Sequence, residues 1–180
     1  MPQQYKLIFT GPVGAGKTTA ITVLSDTEVL NTDAKATDMT SDRKETTTVA
    51  MDYGTMRLDG DSQIHLYGTP GQERFNFMWD ILTEGAIGLL LLIDNTRSNP
   101  LQDLEFYTQS FREFIEATQL VVGVTRMDES RNLGIEDYAE ALSGLNLRAP
   151  VFEVDARVKA DVSVMVKALM HSLEVSAENA

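Results

Sequence analysis

The chain predicts an α/β layered domain, a mixed and mostly parallel sheet with helices on both faces and one antiparallel edge hairpin. Two observations carry this. The apolar runs "YKLIFT" (5–10), "AIGLLLLID" (86–94), "LVVGVT" (120–125) and "PVFEVD" (150–155) are continuous rather than alternating, as strands buried on both faces are. Amphipathic stretches separate them, so strands and helices alternate along the chain.

In chain order, the first strand (5–10) ends at a glycine-rich turn, "GPVGAGKTT" (11–19), that opens a helix. Residues 27–47, rich in Thr, Asp and Lys, show no period and are expected to form a long functional loop. "TVAMDYGTMRLDGDSQIHLYG" holds two strand-like runs around Asp59-Gly60-Asp61, the pattern of a hairpin on a sheet edge. Phe75, Phe77 and Trp79 follow in a segment that should turn helical, as core residues or as a partner surface. Leu101, Leu104, Phe111, Phe114 and Ile115 keep near-helical spacing across 99–118. Two further helices are expected over 134–144 and 161–175, with Asn132, Gly134 or Asp161 near their starts.

Composition bounds the function. A length of 180 residues suits one domain spanning 1–180. With 15 Lys+Arg against 27 Asp+Glu the formal charge is −12, which gives no electrostatic reason to bind nucleic acid or anionic lipid. There is no Cys, hence no disulfide, thiolate metal site, prenylation or palmitoylation. The start "MPQQYKLIFT" fits neither a signal peptide nor myristoylation, and the longest apolar run is too short to cross a bilayer. A cytoplasmic protein without its own membrane anchor is expected. His65 and His171 have no evident catalytic duty, and the methionines around residues 39–78 suit gap-filling packing.

The chemistry begins at Gly11–Thr19, which matches G-x-x-x-x-G-K-[ST] between a strand and a helix. Gly11, Gly14 and Gly16 let the backbone turn its N–H groups onto phosphate oxygens, with Ala15 and Thr19 completing the cradle. The helix that follows presents its positive end. Lys17 can reach terminal phosphates and the Thr18 hydroxyl can ligate Mg²⁺. A nucleoside triphosphate site is predicted.

The later motifs follow in a telling order: "TVAMDYG" and its hairpin, "GTPGQERF", the run "GAIGLLLLIDNT", then "TRMD" and "DAR", each after a strand. This order resembles the Ras-like small GTPases over about residues 5–175. The departures resemble the prokaryotic branch with the bacterial gliding-motility and conservon-type GTPases. The resemblance implies the P-loop NTPase (small G-protein) fold, and GTP or GDP as ligand with Mg²⁺ as cofactor. Asp128 would accept from guanine N1–H and N2–H₂ together, a donor pair that adenine lacks. Ala156, flanked by Asp155 and Arg157, would offer its backbone N–H to guanine O6. Thr125 stands where the family usually has Asn, and cannot match both arms of an amide. Arg126 replaces the usual Lys but keeps a long stem and a planar head to lie over the base.

The resemblance also assigns the switch. Thr48, four residues before Asp52, would close over Mg²⁺ and the terminal phosphate, with Thr46 and Thr47 close enough for a shifted register. The Gly71 N–H would meet the γ-phosphate, and Gln72 would orient the attacking water. In "LYGTPGQERF", Gly68 occupies the position that normally carries a magnesium-side Asp. Weaker metal retention and faster exchange are expected, with Gly68→Asp slowing release and Asp33 or Asp38 as substitute carboxylates. Arg43 and Arg74 are candidates for a transition-state cation. The implied function is a GTP/GDP switch, a GTPase slow without help, with protein regulators at the switch loops such as a roadblock-type activator. The alternatives are a non-hydrolysing GTP-binding docking module and, third, a P-loop ATPase or kinase, for which no Arg-rich lid is evident.

Overall fold

A computed structural model describes the backbone of residues 2–36, 47–58, 60–71 and 76–179, and side chains for these apart from 31–36 and 47–50. The chain runs β1 (Gln4–Thr10), α1 (Lys17–Leu24), β2 (Leu30–Ala36), β3 (Thr47–Arg57), β4 (Gln63–Gly68), α2 (Phe77–Thr83) and β5 (Gly88–Asp94). It continues through α3 (Pro100–Ser110), α4 (Arg112–Ala117), β6 (Leu120–Thr125), α5 (Ile135–Gly144), β7 (Val151–Glu153) and α6 (Lys159–Glu178). These build one seven-stranded sheet in the order β2-β3-β4-β1-β5-β6-β7. The β4, β1, β5, β6 and β7 pairings are parallel, and β3 runs antiparallel to both β2 and β4.

The continuous apolar runs become the central strands. Every residue of β5 and of β6 is buried, because helices cover both faces of the sheet. Alternate residues divide between two cores, as the period of two requires. Leu7, Phe9, Leu90 and Leu92 face Ile21 and Leu24 of α1 and Met165, Val166 and Leu169 of α6. Ile8, Leu89, Leu91 and Ile93 face Trp79 of α2, Leu104 and Tyr107 of α3, and Tyr138 and Leu142 of α5. Among the described residues no helix is long and apolar enough to cross a membrane.

Two local expectations need correction. The segment 27–47 was expected as irregular loop, but Leu30–Ala36 forms β2, the sheet edge beyond β3. The predicted hairpin, β3–β4, therefore lies one strand in from that edge. An edge strand needs no apolar alternation and tolerates charge, so "LNTDAKA" carries no period to detect. The helix over 99–118 also breaks in two at Phe111 (φ −103°, ψ 17°). Its start follows from sequence: Pro100 occupies the first turn, and the Asn99 side chain accepts from Gln102 N–H at 3.2 Å.

Trp79 answers the question raised by the aromatic series. It is buried, its ring stacked on Phe111 at 4.9 Å and tilted against Tyr107 at 5.5 Å, while Phe77 on the same helix is exposed. Phe75 lies outside the described residues. Phe111→Ala should remove about 3–5 kcal/mol of stability. Because Trp79 is the one tryptophan of the chain, denaturant titration followed by its emission should show both the lower midpoint and a red-shifted native spectrum.

Candidate nucleotide site

The loops that follow the carboxyl ends of β1, β4, β5, β6 and β7 gather at one rim of the sheet, where open α/β sheets hold their ligands. The loop after β1 turns tightly because Gly11 (φ 143°) passes under β5. A Cβ there would stand 2.1 Å from the Leu92 carbonyl oxygen. Gly16 (φ 104°) then caps α1, and a Cβ on it would come within 2.8 Å of the Ala156 Cβ. Helix α1 starts at Lys17, so the first-turn N–H groups of Lys17, Thr18 and Thr19 have no carbonyl of their own helix to bond.

A cavity of about 620 Å³ opens beside this loop, a size that suits a nucleoside. The loop lends Gly14, Ala15, Gly16 and Thr19 to its wall. The end of β6 brings Thr125, Arg126 and Asp128, and the turn after β7 brings Asp155, Ala156 and Arg157. Ten predicted residues thus share one wall, although up to 143 positions separate them in sequence. The rim is acidic, with Glu129, Glu153 and Asp161 beside Asp128 and Asp155.

Three side chains of this wall are engaged by neighbouring residues. The buried Thr125 hydroxyl is directed to the Ala15 carbonyl at 3.0 Å and the Ile93 carbonyl at 3.3 Å. It ties β6 to the phosphate loop instead of offering a donor to a base. Arg126, in the left-handed region (φ 58°), donates from Nη1 to Asp94 Oδ2 at 2.9 Å, so its head is engaged by β5 and not free over the cavity. The Arg157 guanidinium pairs with Asp155 at 2.9 and 2.8 Å, and these hydrogen bonds hold the Asp155 carboxyl below the usual carboxylate range. Asp161 accepts from the Asp155 N–H at 2.9 Å and fixes that turn.

On the phosphate side, Lys17 is buried and its Nζ donates to the Gly11 and Pro12 carbonyls, both at 2.7 Å. Gly71 rests against it: a Cβ on Gly71 would lie 2.9 Å from Lys17 Nζ and from Val13 N. Tyr107 holds this approach by donating to the Gly71 carbonyl at 3.3 Å. Thr18 donates from Oγ1 to Asp52 Oδ2 at 2.5 Å. Thr48 lies in β3, opposite Lys35 of β2, and its side chain is outside the description, as are those of Thr47 and Asp33. Gln72, Arg43, Arg74, Thr46 and Asp38 lie outside the described residues. Among the described residues no cluster of three His, Cys, Asp or Glu is assembled to hold a metal.

Sequence reasoning missed Asp52, Asp94 and Arg97. Asp52 served only as a spacing mark for Thr48. Asp94 and Arg97 follow a buried strand, with nothing in their spacing to tie Asp94 to Arg126 or to bring the Arg97 charge within reach of Lys17.

Comparison with known proteins adds to this geometry. The family described as "Conserved hypothetical ATP binding protein" matches residues 26–175, most of the chain. The chain belongs to this family. A 58-residue stretch is 38% identical to "Uncharacterized protein MJ1339" of Methanocaldococcus jannaschii, covering 32% of this chain and 37% of that protein. Weaker but longer similarity runs to "Ras-related protein RABA1e" of Arabidopsis thaliana, 25% over 142 residues, or 77% of this chain and 60% of the other. "Ras-related protein RABA1h" of the same plant is 23% identical over 145 residues, 76% and 61% of the two chains. The chain thus spans about 60% of the length of these Ras-related relatives. Both findings support a nucleotide-binding P-loop protein with a Ras-like relationship.

Lys17 gives a pH signature. Burial pulls its pKa down to about 8, against the Asp52 carboxylate, which favours the charged form; Arg97 adds to the lowering. The unfolded chain keeps the higher ordinary value, so folding stability of the free protein rises with pH between these two values. A polyphosphate favours the ammonium and restores the proton. Binding near pH 8.5 should therefore take up most of one proton, and near pH 6.5 almost none. Affinity should fall as pH rises past about 8. Calorimetry in two buffers of different ionisation heat measures the proton count.

Proposed function

We propose that the chain is a guanine-nucleotide switch that binds GTP and GDP with Mg²⁺ and hydrolyses GTP slowly unless a partner assists. The observation that carries the base assignment is the shared wall of the cavity, where Asp128 lines the same space as Gly14 and Gly16 of the phosphate loop. A carboxylate there suits the N1–H and N2–H₂ pair of guanine, and repels the N1 lone pair of adenine. Ala156 lines the same cavity beside Gly16, and its N–H would serve O6. Arg126, locked to Asp94, acts as a wall through its stem.

The hydrolytic part rests on the Ras-like relationship, on Gly71 against Lys17, and on Gln72 next in sequence. The γ-phosphate would hold this segment and Thr48 in place, and its loss would release a surface that regulators read. A roadblock-type activator and the gliding-motility branch of the superfamily remain part of this proposal, as does a cytoplasmic site of action.

A second reading follows from the family's description, which names ATP. Competition of GTP and ATP for the purified protein separates the two. GTP should bind at least tenfold more tightly, and Asp128→Ala should weaken GTP roughly 10- to 100-fold while leaving ATP nearly as it was, since hydrogen bonds to a charged group are involved. Equal affinities in the unmodified protein would sink the guanine assignment. In single-turnover assays Gln72→Leu should abolish what hydrolysis there is with binding kept. Hydrolysis that persists in the variant would remove Gln72 from the reaction, and an unmodified protein that binds GTP without hydrolysing it, with or without an activator, would be the docking module.

A further inference from the structure

We infer that Asp52 supplies, from the neighbouring strand, the carboxylate that Gly68 withholds from the magnesium side of the nucleotide site. The inference rests on the magnesium-nucleotide reading above and names the residue that serves it.

Four observations converge on Asp52. It stands directly opposite Gly68 in the β3–β4 pairing. A Cβ on Gly68 would be 3.3 Å from both Asp52 Cβ and Asp52 Oδ2, and 3.0 Å from Ile21 Cδ1, so the Asp52 side chain already fills the space a residue-68 side chain would need. Its Oδ2 accepts from Thr18 Oγ1 at 2.5 Å, the hydroxyl of the phosphate loop suited to Mg²⁺. Its Oδ1 is buried without a hydrogen-bond partner, on a residue only 7% exposed.

The last point separates a metal-side role from a structural one. A group that only fixed Thr18 would need a single acceptor, which Ser or Asn could provide. A second carboxylate oxygen, buried and unsatisfied, is costly to keep. It is accounted for if it accepts a proton from the hydration shell that Mg²⁺ retains when bound to phosphates. Asp33 is placed less favourably, on β2, one strand further from β1 than Asp52.

This changes the expectation for Gly68→Asp. Alone it would crowd Ile21 and set a second carboxylate against Asp52, so it should not slow release. The experiment uses GDP carrying a fluorescent ribose label, and reads the ratio of its release rates in EDTA and in excess Mg²⁺. Asp52→Asn should cut this ratio about tenfold, the usual scale for partners of a metal's ligands. Asp52→Asn with Gly68→Asp should restore a good part of it, by moving the carboxylate across the strand pair. A ratio in Asp52→Asn within twofold of the unmodified protein would overturn the inference, as would a full Mg²⁺ response with no dependence on either position. Should Asp52→Asn not fold, Asp52→Ser carries the same comparison. An unmodified protein that holds neither GDP nor GTP overturns the nucleotide reading itself, a result distinct from a normal ratio in the variant.

Discussion

The site depends first on how closely the phosphate loop is allowed to approach the sheet. At Gly11 the backbone passes the Leu92 carbonyl at a distance no side chain would permit. That approach seats the loop over the carboxyl ends of β1 and β5, and everything else is placed relative to it. Thr125 can reach the Ala15 carbonyl only because the loop is so low, and Ala156 meets Gly16 for the same reason. Three segments distant in sequence are thereby held by short contacts, a threonine hydroxyl and an alanine methyl against the loop backbone, rather than by long side chains.

Within that frame, one cation and one anion are buried near each other. Lys17 loses its hydration to the loop and recovers two carbonyl bonds, while Asp52 recovers one bond from Thr18 and leaves an oxygen unsatisfied. The Asp52 carboxylate favours the charged state of Lys17 across the gap between β3 and the loop. The phosphate side of the site is thus polarised across its width: ammonium and helix N-terminus on one flank, carboxylate on the other. A magnesium polyphosphate has the matching asymmetry, anionic oxygens on one side and a hydrated cation on the other.

Much of this was legible in the sequence. The central strands were, because burial on both faces leaves continuous apolar runs, and β6 occupies the very residues of its run. The phosphate loop was legible because its glycines answer to backbone geometry, which is local. What escaped lacks a local signature. The strand β2 is polar, and among the described residues one of its edges pairs with no other strand. Asp52 escaped because a carboxylate delivered across a strand pair has no fixed spacing from the loop it serves. The gap at Gly68 could be seen, but its filling depends on register. Thr125 and Arg126 line the cavity, yet their hydrogen bonds run to Ala15 and Asp94, which only the packed structure brings near.

The acidic rim has a kinetic consequence. A ligand carrying several negative charges must approach a protein of net charge −12 through Asp128, Glu129, Glu153, Asp155 and Asp161. Basic phosphate sites draw their ligands in from solution, and added salt slows them. Here the long-range field opposes entry and attraction begins only within the loop, inside roughly one Debye length, about 8 Å at physiological ionic strength. Salt would screen the repulsion more than the contact, so capture of such a ligand would quicken as ionic strength rises. A cation already paired with such a ligand's negative charges would ease its passage for the same reason.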